Sequence, residues 1–168
     1  MTAATVSLGL ALCLLCLPHP RQASAEASSG TAASAKDGGR GTPEEAKALL
    51  DRGAAHAAKV GFDQAKKDFA DLSGPFIDRD LYIFCIGADG RVASHPRIPA
   101  LVGLNEITLR DSNGKKFGLE LVTKTRAEGS ASVEYTWPHP VSRKFEPKVT
   151  FGRLIGDEVC AAGAYLRR

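Results

Sequence analysis

The chain has 168 residues, of which 24% are charged and 7% aromatic, and its formal net charge at pH 7 is +3. This length accommodates one domain of ordinary size and little more. A charge so close to balance argues against a nucleic-acid-binding protein, which would need a strongly basic face.

The first 25 residues have the layout of a secretory signal peptide. An apolar run at residues 6–17 is followed by Pro18 and by the small-residue motif Ala23-Ser24-Ala25. The run is shorter than the roughly 20 residues that a membrane-spanning helix requires. We therefore predict cleavage near Ala25, no stable membrane anchor, and a periplasmic or secreted protein.

A disordered linker and the start of a single domain follow the signal. Residues 26–41 are mostly Ala, Ser, Gly and charged residues with almost nothing to bury, as in disordered segments. Thr42, Pro43 and Glu45 then form a capping signature for the start of a helix. We place the domain at residues 42–168.

The first element of the domain is predicted to be a long helix. Apolar and small residues recur at helical spacing and would form one stripe. Gly61 should break or bend this helix, and residues 62–72 should continue it up to the breaker Ser73-Gly74-Pro75. The residues of the stripe are Leu49, Leu50, Gly53, Ala57 and Val60.

The pattern then changes to that of strands. Residues 81–86 form a continuous apolar run, which is typical of a strand buried on both faces. Asp89-Gly90 is a strong hairpin signal, and it leads into a second strand at residues 91–95 that Pro96 ends.

Residues 115–126 are predicted to form a short helix, after which three strands complete the domain at residues 131–137, 148–155 and 159–166. The order of elements predicts an α+β domain in which the N-terminal helix covers one face of an antiparallel sheet.

A set of short segments extends over nearly the whole predicted domain. They are DLYIF at 80–84, DG at 89–90, SHP at 94–96, VGLN at 102–105, DSNGKKF at 111–117, EYTWPHP at 134–140, PKV at 147–149 and GAYL at 163–166. Each segment is common by itself, but in this order and spacing the set resembles the single Cache domains of bacterial extracytoplasmic sensors.

The resemblance implies a PAS-like five-stranded antiparallel sheet with a long N-terminal helix and a pocket for a small organic ligand, typically a short carboxylic acid. Such domains usually lie between two membrane helices and signal to a kinase, cyclase or chemotaxis output domain. This sequence ends at Arg168, directly after the last predicted strand. We therefore expect a stand-alone secreted member without its own output domain.

A pocket for a short carboxylate needs an apolar wall and one or two donors for the oxygens, preferably charged ones. Each candidate also has a structural alternative: a loop-pinning hydrogen bond for the histidine, core packing for the aromatic residues, and exposure to solvent for the lysine. The candidates are Tyr82, His95, Tyr135, Trp137 and Lys148.

Cys85 and Cys160 lie in the first and last predicted strands, which are neighbours in PAS-like sheets. A disulfide between them could persist in an oxidising compartment and would stabilise the domain by about 4 kcal/mol in the chain-entropy model. Two separate buried thiols are the alternative, because adjacent-strand geometry is often unfavourable for a disulfide.

The sequence contains no enzyme, metal-binding or cofactor motif, so we predict a non-enzymatic small-molecule sensing module. The alternative is an interaction subunit that docks on a membrane sensor kinase or chemoreceptor, or that forms a homodimer. That alternative requires an apolar stripe left exposed after folding, with Leu49, Val60 and Phe62 as its candidate residues.

Overall fold

The computed structural model describes residues 39–139 and 142–166. The predicted signal peptide and nearly all of the predicted linker lie outside these residues. The helices are α1 (Pro43–Val60), α2 (Phe62–Ala70) and α3 (Phe117–Glu128), and the strands are β1 (Ile77–Asp78), β2 (Leu81–Ile86), β3 (Val92–Ser94), β4 (Ser130–Pro138), β5 (Phe145–Ile155) and β6 (Glu158–Tyr165).

The strands form one antiparallel sheet. Its order is β3-β2-β6-β5-β4, and the two-residue strand β1 also pairs with β2. The predicted α+β class and the five predicted strands are confirmed. The sixth strand, β1, was not predicted, because two residues are too few to show an alternating pattern.

A capping box at its first turn and a glycine after its last residue set the ends of the N-terminal helix. Thr42 and Glu45 form the reciprocal capping box, with hydrogen bonds of 3.2 and 2.8 Å. Gly61, with φ of 87°, separates α1 from α2. The chain is already fixed before α1, since Arg40 pairs with Glu146. This part of the predicted linker is therefore held against the domain.

Helices α1 and α2 cover one face of the sheet. The His56 ring of α1 and the Asp68 carboxylate of α2 form a hydrogen bond of 2.6 Å that joins the two helices. On the same face, Cys85 of β2 and Cys160 of β6 are directly paired across the strands and form a disulfide. The alternative of two separate thiols is therefore not what the structure contains.

The apolar stripe expected to stay exposed is not formed. Leu49 is buried in the core beneath α1, with 1% of its surface accessible, and Phe62 packs against the same core. Val60 alone of the three is exposed, at 40%. The prediction for Leu49 is wrong because α1 turns this position toward the sheet.

The other face of the sheet carries α3 and an irregular segment, residues 99–109, which we call the roof. The roof contains two short 3-10 turns, Pro99–Leu101 and Glu106–Thr108. A second apolar cluster lies beneath it, and this cluster encloses the site described below. Within the described residues, no helix has both the length and the apolar character needed to cross a bilayer.

A candidate ligand-binding cavity under the roof

A small cavity lies between the sheet, α3 and the roof, and we call it the inner cavity. Its volume is about 20 Å³, which is enough for one water molecule. Charged, polar, aromatic and aliphatic side chains of β2, β4, β5, α3, the roof and the residue after β3 line it. They are Tyr82, Phe84, His95, Leu101, Glu106, Leu109, Phe117, Tyr135, Trp137 and Lys148.

Lys148 is the central charged residue of the site. It lies on β5, directly between Tyr135 of β4 and Tyr165 of β6, and 1% of its surface is accessible. Its stem crosses β6 at Gly163, where an added Cβ would overlap Thr150 Oγ1 and come within 2.7 Å of Lys148 Cε. The glycine therefore makes room for the lysine.

Aromatic side chains surround the Lys148 ammonium group. Its Nζ lies 5.1 Å from the centre of the Tyr82 ring and 4.9 Å from that of Tyr165, and it donates to the Tyr82 hydroxyl at 3.4 Å. Burial opposes the charged form, but the tyrosines around it outweigh this and raise the pKa of Lys148. Among the described residues, no carboxylate lies within 4 Å of the ammonium.

His95 presents a neutral imidazole to the cavity. Burial, with a smaller contribution from the nearby Lys148 charge, lowers its pKa to about 4. Its Nδ1 accepts a hydrogen bond from the Ile98 backbone N–H at 3.0 Å, so the proton of the neutral ring lies on Nε2. His95 therefore both pins the start of the roof and offers a donor, which combines the two roles considered for it.

Tyr135, Trp137 and Phe117 form an aromatic wall. The Phe117 and Tyr135 rings are stacked with centroids 4.0 Å apart, and Trp137 contacts both of them edge-on. The Tyr135 hydroxyl is hydrogen-bonded to Thr150 Oγ1 at 3.0 Å, and burial raises the pKa of this tyrosine. The wall supplies both the apolar surface and a hydroxyl at its edge.

Glu106 is the functional candidate that sequence reasoning did not find. It lies in the roof, 3% of its surface is accessible, and burial raises its pKa to about 7 against the smaller opposing effect of Lys148. Its position depends on Gly118 of α3, because a Cβ there would overlap the Glu106 carbonyl oxygen. The irregular sequence around Glu106 gives no periodicity from which burial could be inferred.

A larger cavity of about 200 Å³ lies beside the inner one, and we call it the outer cavity. Tyr82 and Trp137 line both cavities. Arg97 and Arg143 line the outer cavity but not the inner one, and they make the outer cavity basic.

The structure brings all five candidate residues from the sequence to the inner cavity: Tyr82, His95, Tyr135, Trp137 and Lys148. Among the described residues, no group of acidic, histidine and cysteine side chains is arranged to hold a metal ion.

Comparison with known proteins agrees with this fold. A family model described as Single Cache domain 2 matches residues 34–158. A solved structure of the periplasmic sensor domain of a chemotaxis protein is 30% identical, with a TM-score of 0.58; the match covers 74% of this chain and 90% of that chain. The fold and the matched region define an extracytoplasmic sensor domain.

The chain belongs to the single Cache domain family. Two more distant structures share the fold. A methyl-accepting chemotaxis protein from Vibrio parahaemolyticus is 22% identical, with a TM-score of 0.62 over 73% of this chain and 86% of that chain. A Cache chemosensory domain described for its carboxylic acid recognition is 21% identical, with a TM-score of 0.57 over 74% and 88%.

Proposed function

We propose that this domain is an extracytoplasmic sensing module that binds a short monocarboxylate in the inner cavity. The observation that carries the proposal is the Lys148 ammonium, buried at the cavity without a carboxylate within 4 Å among the described residues. A buried ammonium is costly unless an anion or hydrogen-bond partners compensate it, so an anionic ligand would stabilise it.

The remaining wall fits the two ends of such a ligand. His95 and the hydroxyls of Tyr82 and Tyr135 can donate to carboxylate oxygens, while Phe117 and Trp137 can contact a short carbon chain. A Cache domain with the same fold is described for carboxylic acid recognition, which supports this ligand class for the present chain.

The small volume restricts ligand size. At about 20 Å³ the inner cavity accepts one water-sized guest, so even acetate has to displace part of the roof. We therefore expect acids of two or three carbons to bind better than longer ones, because each added carbon requires more displacement.

The test is thermal unfolding and calorimetric titration with acetate, propionate, lactate and pyruvate. A ligand at 100 times its dissociation constant should stabilise the folded protein by about 2.7 kcal/mol. Lys148→Met should weaken binding about 100-fold, because a charge-assisted hydrogen bond is lost. The same variant should retain its fold, because a methionine of similar volume is tolerated at a buried site.

Arg153→Met is the matched control. It removes a positive charge from the same strand at an exposed site, where Arg153 pairs with Asp51. This variant should bind the acid as the wild type does. The proposed function would be contradicted if none of the four acids stabilised the protein, or if Lys148→Met bound the acid as tightly as the wild type does.

A further inference from the structure

We propose that Glu106 couples ligand binding to proton uptake, so that a carboxylate enters the inner cavity together with one proton that is bound by the Glu106 carboxyl group. This inference rests on the proposed function and adds its regulation. It assigns Glu106 as the counter-ion that a ligand replaces.

The geometry places both charged groups in the same enclosed space. Glu106 and Lys148 line one cavity, and each is at least 97% buried. Among the described residues, the Glu106 carboxyl group makes no hydrogen bond and has no cation within 4 Å. The Glu106 carboxyl group therefore lines the inner cavity and can form a hydrogen bond with a ligand there.

The backbone prevents Glu106 from leaving this position easily. Its N–H donates to the Gly90 carbonyl at 2.9 Å, and its own carbonyl accepts from the Leu109 N–H at 3.0 Å. Gly118 of α3 packs directly on that carbonyl. These contacts fix the backbone of Glu106 beside the inner cavity.

The coupling follows from the charges in the cavity. Above about pH 7 the empty cavity contains one ammonium and one carboxylate, whose charges sum to zero. A bound carboxylate makes the sum −1, and an uncompensated buried ion costs several kcal/mol. One proton on Glu106 restores neutrality, and it converts a group that repels the ligand into a hydrogen-bond donor for the second ligand oxygen.

The other groups that face Glu106 keep their charge near neutral pH. Lys148 of β5 is held in the charged form, and His95 after β3 stays neutral because its pKa is about 4. Tyr82 of β2 and Tyr135 of β4 contribute hydroxyl groups. Helix α3 contributes the non-titrating Phe117 and Gly118.

Glu106 is consequently the group that titrates between pH 6 and pH 8, since burial raises its pKa to about 7. The carboxylate ligand itself remains ionised throughout this range. Affinity should therefore fall as the pH rises and Glu106 loses its proton, with a decrease of about tenfold between pH 6 and pH 8.

The experiment is calorimetric titration of the whole chain with propionate in two buffers of different ionisation enthalpy at each pH: phosphate and Bis-Tris at pH 6, and phosphate and Tris at pH 8. We expect uptake of nearly one proton per propionate at pH 8 and almost none at pH 6. Glu106→Gln should bind propionate with equal affinity at both pH values and without proton uptake.

Glu158→Gln is the matched control, because it replaces another buried glutamate that bonds to Lys66 instead of facing the cavity. It should retain the wild-type proton uptake. Binding to the wild type without proton uptake, or unchanged uptake in Glu106→Gln, would overturn the coupling alone. Absence of propionate binding at both pH values would overturn the proposed function and the coupling with it.

Discussion

Gly163 shows how a single missing side chain determines the site. Lys148 and Thr150 lie on β5 beside this glycine, and both occupy the space in which a Cβ would lie. The position of the Lys148 ammonium therefore depends on the glycine of the neighbouring strand as well as on the place of Lys148 in β5.

We expect Gly163→Ala to destabilise the domain by about 1–3 kcal/mol, which is typical when atoms are added to a packed interior. The variant should also weaken ligand binding, since Lys148 has to move. Urea unfolding and calorimetric titration measure the two effects.

Gly152→Ala separates the two effects. A Cβ at Gly152 would overlap Thr125 and come within 2.9 Å of Leu121, which lie on α3 and do not line the inner cavity. This variant should lose similar stability but keep its affinity. Equal losses of affinity in both variants would indicate that the Gly163 effect is a general consequence of destabilisation.

Sequence reasoning identified residues on strands, where the alternation of side chains determines which face of the sheet each one lies on. Tyr135 and Trp137 alternate on β4, so one face carries both, and Lys148 stands out as a charge in an apolar strand. Glu106 belongs to a segment without regular structure. Its burial is set by contacts with Gly90 and Gly118, which are distant in sequence, so the local pattern could not reveal it.

At the scale of elements, the disulfide joins β6, the central strand of the sheet, to its neighbour β2. Cys85 of β2 and Cys160 of β6 face each other with a Cα–Cα distance of 4.0 Å, on the face covered by α1. The inner cavity lies on the opposite face. The covalent bond therefore stabilises the sheet without lining the inner cavity.

The double variant Cys85→Ala/Cys160→Ala should lower the free energy of unfolding by about 4 kcal/mol, as the chain-entropy model gives for a separation of 75 residues. Chemical denaturation of the variant and of the oxidised wild type measures this difference. Reduction of the wild type should give a loss of similar size, whereas an unchanged midpoint would contradict the role of the bond.

Most element boundaries were predictable within about three residues because the apolar patterns and caps are local. The strand at 81–86 and the start of α1 at Pro43 agree with the structure. The path of the roof could not be predicted, since backbone hydrogen bonds of Gly103, Leu104 and Glu106 with Val92 and Gly90 hold it and no sequence pattern encodes them.

At the scale of the whole molecule, two buried groups oppose each other in their effect on stability. The folded state keeps a proton on Glu106 up to about pH 7, whereas an exposed glutamate releases it near 4.5, so stability falls as the pH rises between these values. The folded state excludes a proton from His95 down to about pH 4 instead of 6.5, so stability falls as the pH drops through that range.

Between about pH 4.5 and pH 6.5 the changes that Glu106 and His95 cause in the free energy of unfolding have opposite signs and cancel in the ligand-free protein. Glu106→Gln removes one of them, so its stability relative to the wild type should increase by roughly 3 kcal/mol from pH 4 to pH 8. Urea unfolding of both proteins across this range tests the difference. His95→Gln should show the opposite trend, with a relative gain as the pH falls, and parallel curves for all three proteins would contradict the assignment.

The disulfide also makes the two sides of the inner cavity unequal in stiffness. It fixes the separation of β2 and β6, and these strands carry Tyr82 and Tyr165, the rings that hold the Lys148 ammonium. The cavity therefore has a covalently cross-linked sheet on one side and, on the other, a roof held by non-covalent contacts alone. A ligand of the proposed size would displace this roof, and a partner protein that detects occupancy would find the change of shape there.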